Sequence, residues 1–252
     1  MTQALITGGA RGLGRAMVND LLAKGMQVTV VDIDCSPLAG IRGVDAITCD
    51  LSQPGAIIAI KDRLTQPLDM VVHAAGISAT GAFTDIPWSN QTAVWAVNFQ
   101  APVRLTQMLM ANDRIATGAR LVFVASLSSF VSYPGAASYA GSKDGLTSYA
   151  RSLAKSKQAR SKSWSVTAAF PGPLRTDHAS RYAPDNSQAS VDRRMDPATA
   201  ATAILYDAER RARTSLPGGA AKIMAALGWI APGLTKTIMR KVIFEKIDKV
   251  RT

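Results

Sequence analysis

Hydrophobic and polar positions alternate in blocks along this chain. Apolar, β-branched runs occur at residues 4–7 (ALIT), 27–33 (QVTVVDI), 46–50 (AITCD), 68–76 (LDMVVHAAG), 119–126 (ARLVFVAS) and 164–172 (WSVTAAFPG). Each run is almost continuously apolar, as expected of strands buried on both faces. The stretches between them carry helical spacing, such as RAMVNDLLAKG after the first run. Strands separated by helical crossovers predict an α/β fold, a Rossmann-like doubly wound parallel sheet flanked by helices.

After residue 176 the pattern changes. DHASRYAPDNSQASVDRR is polar and rich in turn formers, so it reads as a loop; DPATAATAILYDAERR follows, with Asp196 and Pro197 suited to the N-cap and first turn of a helix. The expected organisation is one domain over 1–252, in which 177–252 forms a loop and a C-terminal helical extension. A length of 252 residues with 47% hydrophobic content can bury a large core.

Charge and composition narrow the functional classes. The formal charge of +11 comes from 29 Lys and Arg against 18 Asp and Glu. It is concentrated at 151–163 (RSLAKSKQARSKS) and in the tail from Lys236 onward, both of which read as solvated helix faces. Neither is interleaved with aromatics and no nucleic-acid fold signature is present, so nucleic acid is not an expected partner. Two cysteines, Cys35 and Cys49, and two histidines, His73 and His178, make no metal-binding spacing. No secretory signal or membrane-length apolar run is evident. A cytoplasmic protein without a metal is the expectation.

Directly after the first apolar run stands TGGARGLG, with Gly8, Gly12 and Gly14. A glycine turn between strand and helix lets the backbone approach a pyrophosphate, while the helix N-terminus presents free N–H groups and a positive dipole end to it. Asp32 ends the second run, 18 residues after Gly14, where a carboxylate can accept from ribose hydroxyls and repel a 2′-phosphate. NAD is therefore expected over NADP. Arg11, a base within the glycine loop, argues in the opposite direction.

SYAGSKDGL (138–146) sets Tyr139 and Lys143 four residues apart, on one face of a helix. A neighbouring ammonium stabilises phenolate, so the pair predicts a phenol able to exchange a proton near neutral pH.

With TGGARGLG, Asn98 in VNF, Ser126, YAGSK and PGPLRT in this order, the chain resembles the classical short-chain dehydrogenase/reductase family over roughly residues 3–176. The resemblance implies an NAD(P)-dependent oxidoreductase that transfers hydride between the cofactor and a secondary alcohol or carbonyl compound. It implies Tyr139 as acid/base, Lys143 as its activator, Ser126 as the donor orienting the substrate oxygen and Asn98 as organiser of a proton relay; Lys143, Tyr139 and Asn98 also face the cofactor. Cofactor contacts are implied for Gly8, Arg11, Gly12, Leu13, Gly14, Asp32, Asp50, Leu51, Ala75, Gly76, Pro171, Gly172, Leu174 and Thr176. The family's usual dimerisation helices correspond to those following Asn98 and beginning near Tyr139, which implies a homodimer or homotetramer.

The chain also departs from the family pattern. The usual Asn-Asn-Ala-Gly after the fourth strand is His73-Ala74-Ala75-Gly76 here, which leaves open how that strand is tied to its neighbours; His73 reads as a hydrogen-bonded structural residue. In the C-terminal segment, Ile223, Met224, Leu227, Trp229, Ile230 and Leu234 are expected to wall a substrate pocket or pack on the sheet, the first option implying a bulky hydrophobic substrate. The stripe Met239, Val242, Ile243, Ile247 and Val250 is expected to pack on the domain or a second subunit rather than on a membrane. The rival to an enzyme is a non-catalytic dinucleotide-binding or membrane-peripheral interaction protein.

Overall fold

The computed structural model describes residues 2–81, 84–130, 135–182 and 187–231, together with Gly233, Thr235 and Thr237; the 239–250 stripe and Leu234 lie outside the described residues. Seven strands form one parallel sheet: β1 (Gln3–Thr7), β2 (Gln27–Asp32), β3 (Val44–Thr48), β4 (Leu68–His73), β5 (Ile115–Val124), β6 (Ser165–Ala169) and β7 (Thr214–Ser215). Their spatial order is β3-β2-β1-β4-β5-β6-β7. The six expected strands are all present, although the third is shifted toward the N-terminus. The short β7 was not anticipated: Thr214 and Ser215 pair with Ala168 and Ala169 at the sheet edge.

The helices, in chain order, are α1 (Gly12–Ala23), α2 (Ala56–Arg63), α3 (Trp88–Trp95), α4 (Ala101–Ala111), α5 (Ala137–Leu153), α6 (Lys157–Ser161), α7 (Asp177–Tyr182), α8 (Gln188–Asp192), α9 (Pro197–Glu209) and α10 (Gly219–Ile230). Two of them, α7 and α8, occupy the segment read from sequence as a loop. As expected, Asp196 caps α9, its Oδ2 accepting from the N–H groups of Ala198 and Thr199 at 2.9 and 3.1 Å.

Strand alternation explains why the runs are continuously apolar. Leu5, Val71, Leu121 and Phe123 face one side, where they join Ile57 and Ile60 of α2, Leu105 of α4 and Leu146 of α5. Ala4, Ile6, Val28, Val30 and Val72 face the other, against Met17 and Val18 of α1 and Ile204 of α9. A core on each face requires apolar residues at every position.

The question of how β4 is tied is resolved by backbone and core contacts. The Ala74 N–H donates to the Thr7 carbonyl at 3.1 Å, and that of Ala75 to Thr7 Oγ1 at 3.3 Å. His73 is buried, stacks on Phe123 with centroids 4.8 Å apart, and pairs its Nε2 with Thr106 Oγ1 at 3.0 Å. Burial lowers its pKa to about 3, so the ring is neutral and structural.

Candidate active site

Between β1 and β4 the winding of the sheet reverses, and at such a switch point the strand ends leave a crevice. A cleft of about 1220 Å³ opens there. That exceeds the several hundred Å³ of a common small-ligand site and has room for a dinucleotide together with a substrate.

The glycine loop forms its floor. Gly8 has φ +72°, and a Cβ there would lie 2.6 Å from Ala75 Cα; at Gly14 it would lie 2.0 Å from the Gly8 carbonyl oxygen. Any side chain would therefore close the cradle. The α1 N-cap, Arg11, is extended and makes no side-chain capping bond, so the first N–H groups of α1 lack an intrahelical partner and suit a phosphate. At the rim, Asp32 Oδ2 accepts the Ala10 N–H at 2.9 Å. Arg11 is held by Asp34, with Nη2 2.6 Å from Oδ2; hydrogen bonds from Ser36, together with this pairing, keep the Asp34 carboxyl well below the usual range. Asp50 accepts the Ser52 N–H at 2.9 Å, which lowers its pKa.

On the opposite wall, Ser126 follows β5 and caps a 3₁₀ turn, its Oγ accepting the Ser128 N–H at 3.2 Å. Tyr139 and Lys143 project from the first two turns of α5. The Lys143 ammonium is buried, donates to the Val124 carbonyl at 2.8 Å and stands 6.0 Å from the Tyr139 ring centroid. Burial lowers its pKa to about 8. The expectation that the ammonium would lower the phenol pKa is corrected. Burial raises Tyr139, and the opposing influence is its hydrogen bond with Ser126. Desolvation of the phenolate dominates here, so the phenol is protonated at neutral pH.

Asn98 lies on a π-helical turn (Ala96–Gln100) between α3 and α4, fully buried behind the cleft. Its Oδ1 accepts the Ile77 N–H, and its Nδ2 donates to the Ile77 carbonyl, both at 2.9 Å; Nδ2 also lies 3.0 Å from Ser142 Oγ. The amide thus clamps the loop after β4 to α5.

Every other residue singled out from sequence lines the one cleft: Gly8, Arg11, Gly12, Leu13, Gly14, Asp32, Asp50, Leu51, Ala75, Gly76, Ser126, Tyr139, Lys143, Pro171, Gly172, Leu174 and Thr176. The C-terminal expectation needs correction, because of its five apolar residues that are described only Met224 reaches the cleft. Ile223, Leu227, Trp229 and Ile230 point to solvent. Sequence reading missed His178, Arg181, Arg193 and Arg194, which α7 and the end of α8 bring to the outer cleft. Burial lowers the His178 pKa, as do the Lys143 and Arg181 charges. No spacing marks these residues in the sequence.

The short chain dehydrogenase family model matches residues 2–187. The chain is 27% identical to L-xylo-3-hexulose reductase of Hypocrea jecorina across 93% of this chain and 87% of that protein. It is 30% identical to TDA5 of Saccharomyces cerevisiae, an uncharacterised oxidoreductase, over 59% of this chain, and there it spans only 47% of the relative. In fold it matches a short-chain dehydrogenase from Sphingobium yanoikuyae in complex with NADPH, with TM-score 0.75 and 20% identity over 91% of this chain and 93% of that one. A 4-hydroxyisoleucine dehydrogenase complexed with NADH matches with TM-score 0.74 and 22% identity, over 85% and 95%. The chain belongs to the short-chain dehydrogenase family, whose members are oxidoreductases that use nicotinamide cofactors on alcohol and carbonyl substrates.

Proposed function

We propose that the protein interconverts a secondary alcohol and a carbonyl compound, with Ser126, Tyr139 and Lys143 at the reacting end of the cleft and NAD as the preferred cofactor. The observation that carries this reading is the convergence of those three side chains on the same cleft as a glycine cradle that any Cβ would fill. The glycine loop, the free amides of α1 and the Asp32 carboxylate fit a nicotinamide dinucleotide. When bound, its nicotinamide supplies the hydride acceptor for oxidation or the donor for reduction.

In the reductive direction Tyr139, protonated at neutral pH, is placed to donate its proton to the developing alkoxide. Ser126 is oriented by the Ser128 amide, which leaves its own hydroxyl proton for the same oxygen. The Lys143 ammonium supplies positive charge behind the phenol while it is protonated, so carbonyl reduction is expected to decline as pH rises through about 8. Asn98 holds the 74–77 loop, and hence Gly76, against α5. NAD is favoured because Arg11 is engaged by Asp34, leaving two carboxylates, Asp32 and Asp34, where a 2′-phosphate would need cations.

The outer cleft suggests the substrate. Leu127, Leu174 and Met224 supply apolar surface, while His178, Arg181 and Arg193 line the same space. Among the described residues Arg181 and Arg193 form no ion pair. A carbonyl compound with an apolar body and an acidic group fits better than the purely hydrophobic one expected from sequence.

The protein is further read as a homodimer or homotetramer formed through α4 and α5. A cytoplasmic setting is supported by its free cysteines, Cys35 and Cys49. The whole chain is read as one catalytic domain. The test is a panel of neutral and carboxylated ketones followed by NADH absorbance. Turnover that favours NADH and acidic ketones is the expected result; NADH binding without turnover of any carbonyl compound would make this a binding protein instead.

A further inference from the structure

Helix α10 is amphipathic in the wrong sense for a soluble surface. Its inward face consists of small residues, Ala221, Ala225 and Gly228, at 4% and 5% exposure for the two alanines. It packs so tightly that a Cβ on Gly228 would lie 2.1 Å from the Phe130 carbonyl oxygen. Its large side chains face outward: Ile223 is 62% exposed, Leu227 38%, Ile230 76% and Trp229 83%. Ile223, Leu227 and Ile230 follow the i, i+4, i+7 spacing of a single stripe. The usual helix of a globular domain has the reverse arrangement, and apolar surface gathered in this way marks a contact site.

The charge of the segment identifies the contact. From Gly218 to Phe244 the sequence contains no Asp or Glu; Lys222 lies on α10 itself, and Lys236, Arg240 and Lys241 follow it in the sequence. Apolar residues including an outward tryptophan, in a stretch bearing only positive charge, match a helix lying in the headgroup region of an anionic bilayer. No described helix is long and apolar enough to cross a membrane, so the helix would lie on the surface. We propose that α10 docks the protein onto anionic membranes. Met224, on the flank of the helix, lines the cleft, so docking through α10 would hold the cleft close to the lipid surface.

The full-length protein should co-sediment with phosphatidylcholine vesicles containing phosphatidylserine at about 0.1 M salt, and less with phosphatidylcholine alone, because the electrostatic contribution needs anionic lipid. Brominated lipid should quench its tryptophan fluorescence. Trp229→Ser/Ile230→Ser should weaken binding by about tenfold or more with circular dichroism and NADH binding unchanged. Ile223→Ser provides an independent variant should the double substitution unfold. Failure of the wild type to bind phosphatidylserine vesicles would overturn the proposal, as would equal binding by the variants. Light scattering that shows the variants turning an oligomer into a monomer would also overturn it, because the face would then join two copies of the chain. None of these results depends on catalysis, so they can fail independently of the oxidoreductase reading.

Discussion

Helices α5 and α10 both break the rule that charge faces out and apolar bulk faces in, and they break it in opposite directions. α5 buries an ammonium: Lys143 sits among buried Ser142, Leu146, Thr147 and Ala150 on its inward face. α10 buries only small residues and exposes a tryptophan and two isoleucines. Neither arrangement is what stability alone would select. A buried cation costs desolvation energy, and exposed apolar surface forgoes about 25 cal/mol per Å². Local conflicts of this kind mark functional positions in otherwise consistent folds. On the readings proposed above, the difference between the helices separates two functions: the inward charge would serve chemistry in a cleft, the outward apolar face contact with something outside the molecule.

The largest effect that could break this comparison lies in α5. Tyr139→Phe is expected to lower turnover by about 10²- to 10⁴-fold while NADH affinity, measured by fluorescence titration, stays unchanged. Wild-type turnover in that variant would remove the chemical role of α5. Lys143→Met sharpens the comparison because it should act on activity and stability with opposite signs. It should depress turnover yet raise unfolding free energy by about 1 to 3 kcal/mol, since an apolar side chain replaces a buried charge. The pH dependence follows from the lowered pKa. Between about 8 in the folded protein and the ordinary 10.5, the unfolded chain holds more protons, so Lys143 makes stability rise with pH in that window and contributes no slope below it. Urea titrations at pH 8 and 10 should show that rise in the wild type and its loss in Lys143→Met.

A smaller effect is expected at Asp32. Asp32→Ala should weaken NAD binding and narrow the preference over NADP by about tenfold, the scale of a hydrogen bond to a charged group; equal affinity of the unmutated protein for both cofactors would refute the assignment. The smallest concerns α10, where Ile223→Ser should leave the denaturation midpoint almost unmoved, within about 0.5 kcal/mol, as for other exposed sites. A loss of several kcal/mol would mean that this side chain is covered in solution, and the contrast with α5 would collapse.

Much of the cleft was legible in the chain because its parts are local. A glycine turn, a helix start and a Tyr and Lys one turn apart are each set by neighbours in sequence, and the alternation of Leu5 with Ala4 and Ile6 already specifies a strand with a core on either side. Asn98 was legible as a site residue through its motif. Its clamp on Ile77, by contrast, needs two elements brought together across 21 residues.

What the sequence by itself determined is thus the order of the first six strands and the helices between them, the cradle and the identity of the groups that meet in the cleft. Their periodicity and spacing are properties of the chain whatever surrounds it. Only the tertiary structure decided the electrostatics and the orientation of surfaces. The direction of the Tyr139 shift follows from how much water is excluded around the phenol, and the state of Arg11 from Asp34 approaching across 23 residues. The outer cleft received His178, Arg181 and Arg193 because α7 and α8 fold over it. The apolar residues of α10, read as a pocket wall or a packed face, turned outward because only its small side could approach the Phe130 backbone closely enough to pack. Solvation and close packing depend on distant neighbours, and so neither could be read from the order of residues.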